Sequence, residues 1–231
     1  MLALLIDPDR INYDTISNTL VEAGKAKIDL IFVGGSLLTD GEMNKTISTI
    51  KAESDIPVIL FPGSTSQINA QADGILFLSL LSSRNAEMII GQQVTAAPYL
   101  RKTDLEIIST AYLLIDSGKQ TTVSYMSNSN PIPANKPNIA ASTALAGTYM
   151  GMDLIYLDGG SGATSPVPLE MITKVKEYTD QFLVIGGGLN TEEKIANAFN
   201  AGANLVVVGN AIEQNPEFLV QIGKLKADLN S

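Results

Sequence analysis

The chain has 231 residues, the size of one barrel-type α/β domain and too few for two ordinary domains joined by a linker. Hydrophobic residues make up 45% and charged residues 17%, which supplies a sizeable core and excludes a disordered chain. A net charge of −9 argues against a nucleic-acid or anionic-membrane surface, and the absence of Cys and His removes thiol nucleophiles, disulfides, imidazole bases and soft metal sites.

Short apolar, β-branched runs alternate with amphipathic segments from one end of the chain to the other. In chain order, strands are expected at 2–6, 30–33, 58–61, 74–78, 106–115, 154–157, 182–185 and 205–208. Helices are expected at 13–24, 42–53, 86–96, 139–150, 169–179, 192–200 and 216–228. Eight strands and seven helices leave one gap, at 62–72, so the third helix is missing or replaced. This alternation predicts a single (β/α)8 TIM barrel over 1–231 rather than an open doubly wound sheet, which uses fewer strands in this length. The segment 126–137, with Pro131, Pro133 and Pro137 among Asn and Ser, reads as a long loop after the fifth strand, either a lid or a solvated connection. No apolar run approaches the roughly 18 to 20 residues of a membrane helix, and the N-terminus lacks the basic region and cleavage site of a signal peptide, so a cytoplasmic location is expected.

Barrel enzymes build their sites at the C-terminal ends of the strands. Those ends here carry Asp7, Pro8, Asp9 and Arg10; Gly34, Gly35 and Ser36; Tyr156 to Gly162; Gly186 to Gly188; and Gly209 with Asn210. Glycines at such points let backbone amides approach a phosphate, and the following helix N-terminus adds a favourable field. Each glycine alone could be an ordinary turn, whereas the pair of loops after strands seven and eight marks the common barrel phosphate site. A metal site must use oxygen, which favours Mg²⁺; Asp7 is the natural ligand and Ser36 could add its hydroxyl. Asp158 faces the mouth as a hydroxyl acceptor or base, and Tyr156 either donates to a ligand or packs in the barrel.

Six segments in order resemble the geranylgeranylglyceryl phosphate synthase family, which includes the heptaprenylglyceryl phosphate synthases. They are LIDPDR at 5–10, FVGGS at 32–36, LFPGS at 60–64, YLDGGSGA at 156–163, GGGL at 186–189 and VVGNAI at 207–212. The resemblance implies Mg²⁺-dependent ether formation between sn-glycerol 1-phosphate and a polyprenyl diphosphate, in membrane lipid biosynthesis. It implies Asp7 and Ser36 as metal ligands, and Tyr156, Leu157, Asp158, Gly159, Gly160, Ser161, Gly162, Gly187, Gly188, Gly209 and Asn210 as the glycerol phosphate site. Asp158 and Tyr156 are the residues it places in catalysis. It also implies a homo-oligomer, a dimer or hexamer, with transient membrane contact for lipid substrate and product and no transmembrane segment. Phe61, Leu80, Leu81, Met88, Ile89 and Ala96 are candidates for a prenyl groove, or else ordinary core.

The chain departs from the family pattern in three places. Asp158 stands where Glu is common, the first strand starts almost at residue 1, and Leu5 occupies a position that is sometimes basic, leaving Arg10 or Lys136 to help with phosphate. Two other readings stand beside the prenyltransferase. A phosphosugar isomerase or aldolase would share the phosphate loops, although no expected strand carries a Schiff-base Lys. A non-catalytic barrel would bind glycerol phosphate without turnover.

Overall fold

A computed structural model describes residues 1–229. Eight parallel strands close into a barrel in chain order: β1 (Leu2–Ile6), β2 (Leu30–Val33), β3 (Val58–Leu60), β4 (Gly74–Leu80), β5 (Glu106–Leu114), β6 (Leu154–Asp158), β7 (Phe182–Gly186) and β8 (Leu205–Val208). The ring shuts through the β1 and β8 pairing, with Leu2 beside Val206 and Leu4 beside Val208. Around it run α1 (Ile16–Lys25), α2 (Met43–Glu53), α3 (Gln92–Leu100), α4 (Thr122–Met126), α5 (Pro137–Tyr149), α6 (Leu169–Tyr178), α7 (Glu192–Asn200), α8 (Asn210–Gln214) and α9 (Phe218–Leu229). Among the described residues no helix is long and apolar enough to cross a membrane.

The period of two in each strand divides the core into two layers. Leu2, Leu4, Ile31, Val33, Ile155 and Leu157 face outward and pack under the helices, while Ala3, Phe32, Tyr112, Tyr156, Val184 and Val207 fill the barrel. Near-continuous Val, Ile and Leu runs serve both layers at once, as a parallel sheet buried on both faces requires.

The expected gap after the third strand holds only a 3-10 turn, Thr65–Gln67, in place of a helix. Elsewhere the structure adjusts the sequence reading. The helix expected at 86–96 begins as a π turn, Glu87–Gly91, before continuing as α3. The segment 126–137, read from sequence as a lid or a solvated connection, is exposed at Asn128, Asn130, Pro133 and Lys136 but anchored in the middle. Its Ile132 is 5% exposed, its amide donates to the Leu114 carbonyl, and its own carbonyl accepts from Asp116, so the segment is tied to the end of β5. An apolar residue within the Pro-rich stretch gave this segment something to bury, and buried backbone groups then needed partners. Just before it, a capping box of Thr121 and Ser124 starts the short α4. The last expected helix is two, α8 and α9, because α8 ends at Asn215, which takes an extended conformation, and α9 restarts at Phe218.

Candidate active site

The mouth of the barrel opens into one cavity of about 670 Å³ that runs from the β6 to β8 loops, past Asp7 and Ser36, to an apolar wall from β4 and α3. Inward alternation decides which side chains reach it. Asp158 follows Tyr156 on the inner phase of β6 and lines the cavity, whereas Leu157 between them lies in the outer layer, fully buried beneath the helices. Gly159 is likewise turned away from the cavity, its amide donating to the Gly186 carbonyl at 3.0 Å and so tying the β6 loop to β7.

Asp158 is the best-defined polar group in the barrel. At 6% exposure, its Oδ2 accepts from the Tyr112 hydroxyl at 2.6 Å and its Oδ1 from the Gly160 amide at 2.8 Å. Burial pushes its carboxyl above the ordinary carboxylate range, and these two hydrogen bonds, which favour the charged form, offset part of that rise. Tyr112 was not visible as a site residue in the sequence. It reaches Asp158 because the β5 and β6 register sets Tyr112 beside Tyr156 and Leu114 beside Asp158.

Tyr156 is 1% exposed and packs: Phe61 stacks on its ring at 5.1 Å, and Tyr112 meets it edge-on at 5.5 Å. Burial, followed by the neighbouring Asp158 charge, raises both phenols well above their ordinary range, so both remain protonated. Of the two roles open to Tyr156, the structure favours packing, with one edge of the residue showing to the cavity.

Asp7 stands at the end of β1, half-buried, with Oδ1 accepting from the Asp9 amide at 3.0 Å and Oδ2 3.7 Å from Arg10 Nε. Burial raises its carboxyl above the usual range, while the Asp9 amide and Arg10 pull it back down. The β2 end approaches it closely, since a Cβ on Gly35 would sit 3.1 Å from Asp7 Oδ1, and Ser36 follows into the same cavity. Asp9, the second acid of the IDPD motif, is occupied otherwise. Its carboxylate gathers the amides of Thr39, Asp40 and Gly41 and the Thr39 hydroxyl, bracing the loop beyond β2.

Gln67, in the 3-10 turn, is a second residue that the sequence did not signal. It is 1% exposed; its Oε1 accepts from the Gly35 amide at 3.3 Å and the Gly63 amide at 3.1 Å, and its Nε2 donates to the Gly35 carbonyl at 2.8 Å. One side chain thus holds the ends of β2 and β3 together beside Asp7. A polar residue in a helix-less stretch carries no periodicity, so only the fold reveals its partners.

Opposite Asp7, Gly160 to Ala163, Gly187, Gly188, Gly209 and Asn210 form the wall of the cavity. The Ser161 hydroxyl lies 3.4 Å from Asn210 Oδ1, joining the first and last of these loops. Gly187 and Gly188 adopt φ of +82° and +71°, and a Cβ on Gly188 would come within 2.8 Å of the Pro166 nitrogen. Only glycine allows both the left-handed turn and this close packing. Among the described residues no protein acceptor takes the amides of Ser161, Gly162 or Gly188, which leaves three donors beside the cavity for an anion.

The apolar wall is formed by Phe61, Leu76, Leu78, Leu80, Met88 and Ala96. Leu81 and Ile89, expected there from sequence, belong instead to the outer core; strand alternation turns Leu81 toward α5, where it meets Gly147. Arg10 lies at the mouth, 3.3 Å from Glu213, whereas Lys136 is exposed and lines no part of the cavity.

Residues 2–226 match the PcrB family. A geranylgeranylglyceryl phosphate synthase of Spirosoma linguale is 47% identical over 228 residues, 99% of this chain and 92% of that protein. The crystal structure of (S)-3-O-geranylgeranylglyceryl phosphate synthase from Thermoplasma acidophilum in complex with sn-glycerol-1-phosphate superposes with a TM-score of 0.90 at 36% identity, covering 97% of this chain and 92% of that one. The wild-type enzyme of Thermoplasma volcanium gives 0.91, also at 36% identity, covering 98% and 91%. With the barrel, its cavity and these similarities together, the chain belongs to the PcrB family, the prenyltransferase family of the geranylgeranylglyceryl phosphate synthases.

Proposed function

We propose that this prenyltransferase joins sn-glycerol 1-phosphate to a polyprenyl diphosphate, geranylgeranyl diphosphate being the first donor to test, as a Mg²⁺-dependent step in making ether lipids for membranes. The observation that carries the reading is the continuity of the cavity: glycine loops with free amides, a carboxylate and hydroxyl pair, and an apolar wall all face one space. Neither an aldolase nor an isomerase needs that third surface.

Mg²⁺ fits the residues present. Among the described residues no group of three or more acids could cage a metal, but Asp7 and Ser36 line the cavity from adjacent strand ends. That is the one or two protein oxygens Mg²⁺ takes when a substrate diphosphate supplies others. Asp7 and Ser36 would hold the ion, which when bound supplies charge neutralisation for the departing diphosphate.

The chain's own groups do the rest. The Ser161, Gly162 and Gly188 amides bind the phosphate of the acceptor and fix its hydroxyl near Asp158. The apolar wall keeps the prenyl chain out of water and points its C1 toward that hydroxyl. As the hydroxyl oxygen bonds to C1 and the C1 to diphosphate oxygen bond breaks, the Asp158 carboxylate takes the hydroxyl proton. A carboxyl raised by burial suits that task better than an ordinary one. Tyr112 and the Gly160 amide hold the carboxylate in place.

We place the protein in the cytoplasm as a homo-oligomer that meets the membrane transiently, through its lipid substrate and product. The test is to incubate labelled sn-glycerol 1-phosphate with geranylgeranyl diphosphate, with and without Mg²⁺, and to count label extracted into lipid. A Mg²⁺-dependent lipid product is expected; no product with any prenyl chain length would overturn the proposal. Binding of glycerol phosphate without ether formation would instead favour the non-catalytic reading.

A further inference from the structure

We infer that Lys119 is a binding residue for the acceptor phosphate, supplying the positive charge that the backbone amides of the β6 to β8 loops lack. The inference rests on the function proposed above and assigns a further residue to its acceptor site.

Three observations on the loop between β5 and α4 support it. First, the Lys119 Nζ lies 3.3 Å from the position a Cβ of Gly162 would take, and it is the sole neighbour within 4 Å of that position. The ammonium therefore sits against Gly162 in the glycine loop, which lines the cavity although Lys119 itself does not. Second, Lys119 has no ion pair or hydrogen bond among the described residues, whereas Arg10, the one basic side chain among the described residues lining the cavity, is flanked by Asp7 and Glu213. Third, the backbone that carries Lys119 is anchored on both sides. The Thr164 hydroxyl donates to the Ser117 carbonyl, Thr121 packs against Gly160, and Thr121 is itself fixed by its capping box with Ser124. The ammonium is thus held on a loop built into the phosphate wall, and only its four-carbon stem is free to turn.

Electrostatics gives the site a need for such a cation. Amides offer hydrogen bonds and partial charge but no net charge, and this chain carries −9 overall. A phosphate of about −1.5 to −2 entering beside Asp158 gains from a nearby ammonium. Because Lys119 is exposed, salt must screen that gain, which makes the proposal measurable.

The experiment is calorimetric titration of the full chain with sn-glycerol 1-phosphate, and separately with inorganic phosphate, at low and moderate salt. Lys119→Gln is expected to weaken both ligands by about five-fold at low salt, the size of an exposed ion pair, with less loss at moderate salt. Lys119→Arg should restore most of the affinity, the KM for the prenyl donor should not change, and the melting temperature should match the wild type. Lys102→Gln, an exposed lysine away from the cavity, should bind like the wild type. Unchanged affinity and salt dependence in Lys119→Gln would overturn the inference, as would equal weakening in Lys119→Arg and Lys119→Gln. A wild-type protein that binds neither ligand would overturn the proposed function itself, and this inference with it.

Discussion

Tyr112→Phe removes one hydroxyl and leaves the aromatic packing with Phe61 and Tyr156 in place. The lost contact is a 2.6 Å hydrogen bond to a carboxylate buried inside the barrel. Hydrogen bonds to charged groups contribute about 1.5–3 kcal/mol, and Asp158 Oδ2 would gain no replacement donor. If all of that is expressed in the transition state, kcat falls about ten- to a hundredfold. The pH profile distinguishes this from a general loss of packing. Burial raises the Asp158 carboxyl and the Tyr112 bond opposes that rise, so its removal moves the acid limb of kcat/KM to higher pH. The stability cost, roughly 3–12 °C in melting temperature, should be largest where Asp158 is ionised and shrink as it protonates. Steady-state kinetics from pH 4 to 9 with parallel thermal melts makes the check. A wild-type kcat with an unmoved acid limb would refute a positioning role for Tyr112.

Three further outcomes follow from the site. Asp7→Asn should abolish turnover while glycerol phosphate still binds by calorimetry; equal loss of both would contradict a role confined to the metal and diphosphate end. Asp158→Asn should lose activity yet melt higher near pH 8. The sign follows from linkage: a carboxyl raised in the folded state loses stability as pH rises through its folded pKa, and the amide does not. Equal melting of variant and wild type at pH 4 and pH 8 would show that burial of the charge carries no such cost. Gly188→Ala puts a methyl group within 2.9 Å of the Ser165 carbonyl carbon at a φ of +71°, so the acceptor KM should rise about tenfold or more while the donor KM stays. An unchanged acceptor KM would remove that loop from the phosphate site.

Much of the molecule was legible from residue order alone. Alternating β-branched runs and amphipathic segments specify a parallel barrel, because such runs are stable only when buried on both faces. The break at 62–72 specified the missing third helix, because nothing there repeats at helical spacing. Clustered glycines after the sixth to eighth strands marked one wall of the cavity, since their backbone freedom is local to each turn. The restriction of side-chain metal ligands to oxygen donors followed from the absence of Cys and His.

What depends on register was decided only by the fold. Tyr112 and Asp158 are 46 residues apart and meet because two strands pair in one register rather than its neighbour. Leu157 entered the site with the family resemblance and Leu81 stood as a groove candidate or ordinary core; strand alternation turned both outward. Asp7 and Asp9 are two residues apart in one motif and both line the cavity, yet only Asp9 has its carboxylate taken up by a loop, because the loop at 39–41 folds back onto it. Gln67 bonds to Gly35, 32 positions away, and the Lys119 ammonium lies against Gly162, 43 positions away. Local propensity sets which segments become strands, helices and turns; long-range pairing sets which side chains share a space, and no pattern within one segment encodes that.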